Sequence, residues 1–206
     1  MVARFITLEG IDGAGKSSHL KFIGSWLDSH GIDAVFTREP GGTGLGEKLR
    51  ELLLSPSTRV SLESETLLMF ASRQEHIVQV IAPALSCGRW VVSDRFTDAS
   101  FAYQGGGRGL AFERIRVLED WVQQGLQPDL TFLFDVPPEL AQSRMAASRQ
   151  LDRFEREQAD FHRRVREAYL ERARENPRFC VLDSSRSLEA IRVDIADRLS
   201  RLQEAG

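Results

Sequence analysis

The chain has 206 residues, 42% hydrophobic and 28% charged, with 27 basic against 30 acidic side chains and a formal net charge of −3. This composition belongs to folded proteins and excludes the disordered, collagen-like and disulfide-scaffold classes. It offers no broad basic surface for a nucleic-acid polymer, no apolar window of the ~18 residues needed for a membrane span, and no signal peptide in Met1–Leu8.

The length and even composition predict one domain over 1–206, located in the cytoplasm. Apolar runs recur at wide intervals: Phe5–Leu8, Ala34–Thr37, Trp90–Ser93, Leu130–Phe134 and Phe179–Leu182. The stretches between them have helical spacing, the pattern of a parallel sheet wrapped by helices. Leu67, Leu68, Ile77, Val78 and Ile81 suit one long amphipathic helix that is interrupted or ends near Pro83. Pro137-Pro138 opens the next helix after the fourth strand, and Ser187 is the expected N-cap of the last. Cys87 and Cys180 lack metal-ligand spacing and are expected to be buried free thiols. His19, His30, His76 and His162 show no ligand spacing either.

Directly after the first strand, Gly10-Ile11-Asp12-Gly13-Ala14-Gly15-Lys16-Ser17 forms a complete G-x-x-x-x-G-K-[ST] motif. Glycines allow backbone N–H groups to converge on phosphate oxygens, and the helix that follows adds its positive N-terminal end. Lys16 would reach the β and γ phosphates, and the Ser17 hydroxyl would ligate Mg²⁺. With Ser18, this loop is the expected ATP site. The N-K-x-D signature of guanine recognition is missing, since the only asparagine, Asn176, precedes a proline. The strands end in single acids, Asp94 and Asp135, instead of the paired acids of ATP-driven motors. A small-molecule kinase is left.

Four segments, Glu9–Ser17, Thr37–Thr43, Asp94-Arg95-Phe96 and Ala102–Arg108, stand in the order and spacing of bacterial thymidylate kinase, which this chain resembles from about Phe5 to its C-terminal helix. The resemblance implies a P-loop NTPase fold with a five-stranded parallel sheet flanked by helices. It also implies transfer of the γ-phosphoryl group of ATP to dTMP, giving dTDP with Mg²⁺, and a homodimer. The chemistry agrees: the acceptor is a phosphate monoester whose second pKa is near ~6, so no strong general base is required. Catalysis reduces to aligning two polyanions and neutralising the moving charge. A hydroxyl acceptor, as in deoxynucleoside kinases, would need a poised carboxylate base and fewer arginines on the acceptor side.

By the same resemblance, Arg95 holds the acceptor phosphate and bridges it to the donor, Arg38 is a further phosphate ligand, and Asp12 meets the sugar 3′-hydroxyl and helps organise Mg²⁺. Phe70 and Arg73, three apart on one helical face, would stack on the base and bond its carbonyl. Many relatives place the aromatic residue four before the arginine, where this chain has Met69, and Phe70 is alternatively simple core. Tyr103 and Gln104 would close on the sugar and base, with Tyr103 crowding out a 2′-hydroxyl and Ser100 adding a polar contact. Some members carry an arginine in the loop directly after the acid, where this chain has Gly13. Residues 144–154 resemble a basic lid that makes up for it, with Arg149 first and Arg153 second as the arginine on the phosphates, and Arg144 near the nucleotide.

Overall fold

A computed structural model of the chain describes residues 2–145, 152–155 and 157–205. Five strands, β1 (Phe5–Glu9), β2 (Ala34–Arg38), β3 (Trp90–Asp94), β4 (Leu130–Asp135) and β5 (Phe179–Asp183), form one parallel sheet in the order β2-β3-β1-β4-β5. Every residue of β1 is buried, Thr7 and Glu9 included, because this central strand is covered on both faces. Helices α1 (Lys16–Ser29), α2 (Gly44–Leu54), α3 (Leu62–His76), α4 (Ala82–Ser86), α5 (Thr97–Ser100), α6 (Phe112–Gln123), α7 (Pro138–Met145), α8 (Ala159–Glu175) and α9 (Leu188–Glu204) make the connections. The core gathers Ile6, Leu8, Phe132 and Phe134 of the sheet with Ile23 and Leu27 of α1, Tyr169 of α8 and Ile195 of α9.

Local chemistry accounts for the helix starts. Thr43, Ser61 and Ser187 each accept a hydrogen bond from a backbone N–H of the following first turn, so Ser187 caps α9 as expected. The helix after Ser61 is interrupted near Pro83 as expected: α3 gives way to a π-helical turn (Ile77–Ile81) directly before the short α4, which carries Pro83 and ends at Ser86. One expectation is corrected. The cysteines are free but not buried: Cys87 is exposed and Cys180 half-buried, because the first follows α4 in the turn before β3 and the second lies on the edge strand β5.

The register matters most for function. Leu8 lies opposite Asp94, and Arg38 opposite the same Asp94, so the carboxyl ends of β1, β2 and β3 are level. The chain order reverses between β1 and β3, the place where open α/β sheets bind ligands. The loop after β1 and the residue after β3 are thereby neighbours; the Arg95 N–H donates to Leu8 O at 3.0 Å.

Candidate active site

The loop between β1 and α1 wraps tightly. Gly10 and Gly13 have φ of +133° and +81°, and a Cβ on Gly13 would lie 2.4 Å from the Ala141 carbonyl oxygen of α7. Neither backbone space nor conformation suits a larger residue there, which is the local reason this loop carries no arginine after Asp12. The Lys16 ammonium donates to the carbonyls of Gly10 at 3.0 Å and Ile11 at 3.2 Å. Burial, then the facing Arg95, lowers its pKa. Ser17 and Ser18 are exposed at the start of α1. Across the loop, Ser184 Oγ donates to Ala14 O at 2.9 Å and Arg144 Nη2 donates to Ser184 O at 2.9 Å, bringing Arg144 to the loop's far side.

Beside the loop opens a cavity. Of the residues expected to bind the acceptor, Asp12, Arg73, Arg95, Ser100, Tyr103 and Gln104 line it. Arg95, at φ +75°, is in a backbone conformation that costs a non-glycine residue ~1–3 kcal/mol, a strain that concentrates at functional sites. Its Nη2 donates to Asp12 Oδ1 at 2.6 Å and to the Tyr103 hydroxyl at 2.9 Å; its Nη1 donates to the Tyr169 hydroxyl at 3.2 Å. Tyr103 in turn donates to Asp12 Oδ2 at 3.0 Å. Burial alone would raise the Asp12 carboxyl, but Arg95 and then Lys16 hold it well below the usual carboxylate range. Behind Arg95, Glu9 Oε1 accepts from Phe96 N and Oε2 accepts from the Tyr169 hydroxyl, both at 2.7 Å. Burial, then the nearby Asp98, pushes the Glu9 carboxyl up to about 8 despite the opposing pull of Arg95.

Arg73 lies deeper. Its Nε donates to Glu39 Oε2 at 2.8 Å, its Nη2 to Ser100 Oγ at 3.0 Å and to Phe96 O at 3.2 Å, while Nη1 is buried with no protein partner. A buried donor left open at a cavity wall is where a ligand acceptor would complete the set. Phe70 does not line the cavity: 2% exposed, it packs with Phe101, Leu110 and Ile115 under the Arg73 guanidinium, 4.5 Å from its ring, and Met69 takes the wall position. One helical step rotates the side chain by about 100°, and that step separates the core from the cavity. Arg38 is also outside the lining: its guanidinium, 52% exposed, is paired with Glu47 at 2.9 Å. Pro40, after a cis peptide bond, does line the cavity.

Arg50 was not anticipated. It lines the cavity, donates to Pro40 O at 2.9 Å, and shares a helix face with Leu54, four residues on, which also faces the cavity. That spacing was the available signal. Asp152 and Phe154 complete the lining from the expected lid. Arg153 turns toward α2 and α3, with Nε donating to Leu53 O at 2.9 Å and Nη2 to Glu65 Oε2 at 2.6 Å. Arg149 lies outside the described residues. Asp135 is held by Arg166 in a two-bond fork, at 2.6 and 2.9 Å, whereas Asp94 Oδ1 is buried without a protein partner.

Among known families, the one described as thymidylate kinase matches residues 8–195. Thymidylate kinase of Chromobacterium violaceum is 67% identical over 204 residues, covering 98% of this chain and 96% of that protein. Thymidylate kinase of Methylobacillus flagellatus is 60% identical over 198 residues, covering 96% and 97%. That of Neisseria gonorrhoeae is 59% identical over 196 residues, covering 95% of each.

Proposed function

This chain belongs to the thymidylate kinase family, and from that premise we propose how its residues move the γ-phosphoryl group of ATP onto dTMP to give dTDP. The observation that carries the assignment is the Arg95 guanidinium, half-buried at the cavity wall and bound to Asp12 of the phosphate loop. The loop Gly10–Ser18 cradles the triphosphate with its N–H groups and Lys16. Arg95, with Arg50 beside Pro40, meets the acceptor phosphate; Arg38 joins them by leaving Glu47. An arginine fork held between two anionic tails offsets the repulsion that otherwise keeps them apart.

The rest of the cavity selects the nucleoside. Met69, Pro40 and Phe96 offer the flat apolar contact a pyrimidine needs. The open Arg73 Nη1 suits a ring carbonyl, and Ser100 and Gln104 supply the polar edge. Asp12 accepts from the sugar 3′-hydroxyl, and the Tyr103 ring fills the space a 2′-hydroxyl would need. Residues 144–154 serve as the lid that excludes water, with Arg149 supplying the positive charge that Gly13 does not.

For Mg²⁺ the residues fit. The Ser17 hydroxyl is exposed beside the loop, and the unpartnered Asp94 oxygen is an acceptor of the right kind. Among the described residues no cluster of three His, Cys, Asp or Glu could hold a metal alone. That is expected where phosphate oxygens and water supply most ligands. Bound there, the ion would neutralise phosphate charge.

The exposed Leu67, Val78, Val117 and Trp121, the last two 67% and 73% exposed, lie on α3, the π turn that extends it and α6, which packs against α3. We assign this face to a homodimer. No described helix is long and apolar enough to cross a membrane, and the cytoplasm, where nucleotides are made, is the assigned location.

One assay tests the reading: ADP release from ATP with dTMP, dUMP, dCMP or thymidine as acceptor. Release should depend on dTMP. Equal turnover of thymidine would mean a hydroxyl acceptor and overturn the roles of Arg95 and Arg50.

A further inference from the structure

Glu65, on α3, is 2% exposed, and a carboxylate so placed is costly unless fully partnered. Its three partners come from two separate stretches of chain, the segment Gln104–Arg108 and Arg153. Gln104 Nε2 donates to Oε1 at 2.8 Å, Arg108 Nε donates to the same oxygen at 3.0 Å, and Arg153 Nη2 donates to Oε2 at 2.6 Å. Gln104 is a wall of the acceptor cavity, and Arg153 carries the next wall, Phe154. The two arginines that Glu65 holds both lie against the Phe154 ring, with guanidinium carbons 4.8 Å and 5.3 Å from its centroid. Arg108 also reaches Glu157 at 3.0 Å, and the Phe154 ring meets Tyr103 edge-on at 5.8 Å. The backbone of Arg153 is tied to α2 as well, its N–H donating to Leu54 O at 3.2 Å.

We propose that Glu65 is a positioning residue for acceptor recognition: one carboxylate fixes Gln104 and the Arg153–Phe154 arm of the lid as two walls of a single pocket. The inference rests on the reading of this cavity as the dTMP site and adds what shapes it. Glu65 touches no reacting atom. It acts by setting where an amide and an aromatic ring stand, and its charge matters because two guanidinium groups answer to it. The Arg153–Phe154 arm is thereby anchored on the acceptor side, through α3.

The test compares the wild type with Glu65→Gln, Arg153→Met and the double variant in steady-state assays with dTMP and ATP varied in turn. Glu65→Gln should raise KM for dTMP by about tenfold, the loss of a charge-assisted contact, and leave KM for ATP within about twofold. Arg153→Met should raise KM for dTMP in the same direction. Because both act through one clamp, the double variant should be no worse than Glu65→Gln by more than about twofold. A KM for dTMP within about twofold of wild type in Glu65→Gln, or multiplicative effects in the double variant, overturns the proposal. Should near-UV circular dichroism show that Glu65→Gln has lost its fold, Arg153→Met decides alone, and an unchanged KM for dTMP then overturns it. Wild-type inactivity toward dTMP would instead sink the reading of the cavity, so the two failures are distinguishable.

Discussion

Gly13 and Gly15 make a matched pair for separating backbone strain from packing. Both hold positive φ, +81° and +92°, but a Cβ at Gly13 would stand 2.4 Å from the Ala141 carbonyl, whereas one at Gly15 has nothing within 4 Å. Alanine at either position takes on the left-handed penalty of ~1–2 kcal/mol. At Gly13 it must also displace α7, and overpacking of that sort costs a further ~1–3 kcal/mol. Gly13→Ala should therefore destabilise by about 2–5 kcal/mol and Gly15→Ala by about 1–2. At roughly 2–4 °C per kcal/mol for a chain of this size, the melting temperatures should differ by several degrees. Urea unfolding followed by circular dichroism, with equal slopes for the two variants, measures the difference directly. Equal stabilities would refute the claim that the α7 backbone presses on the loop, and with it the explanation for the absence of an arginine after Asp12.

Tyr103→Phe removes a hydroxyl that donates to Asp12 and accepts from Arg95; at ~1.5–3 kcal/mol for hydrogen bonding to charged groups, kcat/KM for dTMP should fall by about ten- to a hundredfold. Discrimination against a 2′-hydroxyl should survive, because the ring remains, and ready turnover of the ribonucleotide by this variant would refute the steric role. Glu9, raised by burial to about 8 from its ordinary 4.5, binds a proton in the folded state that the unfolded chain has released. Stability should thus decline as pH rises across that window and level off above it. Glu9→Gln should flatten this slope in urea titrations between pH 5 and 8, and an unchanged slope would locate the effect elsewhere. Trp121→Glu, on the exposed face of α6, should halve the mass seen by light scattering if that face joins two copies. A wild type that already scatters as a monomer excludes the homodimer.

What the amino-acid sequence determined by itself was everything whose cause is local. The phosphate loop is legible because its glycines and lysine stand next to one another. Strand runs, the cap at Ser187 and the helix opening at Pro138 depend on residues within a turn of each other. Residues at strand ends, Asp94 and Arg95 among them, could be assigned to the carboxyl edge of the sheet because a parallel sheet has only one such edge. Tertiary structure decided what depends on distant pairing. It alone distinguished Met69 from Phe70 at the cavity, two neighbours that any helical pattern treats almost alike. It placed Arg50 at the wall while pairing Arg38 with Glu47. It also exposed Cys87, and assembled around Glu65 a clamp whose members lie 39, 43 and 88 positions away. Sequence spacing carries no information at such separations: which arginine meets which carboxylate is settled by desolvation and geometry once the sheet has brought the segments together.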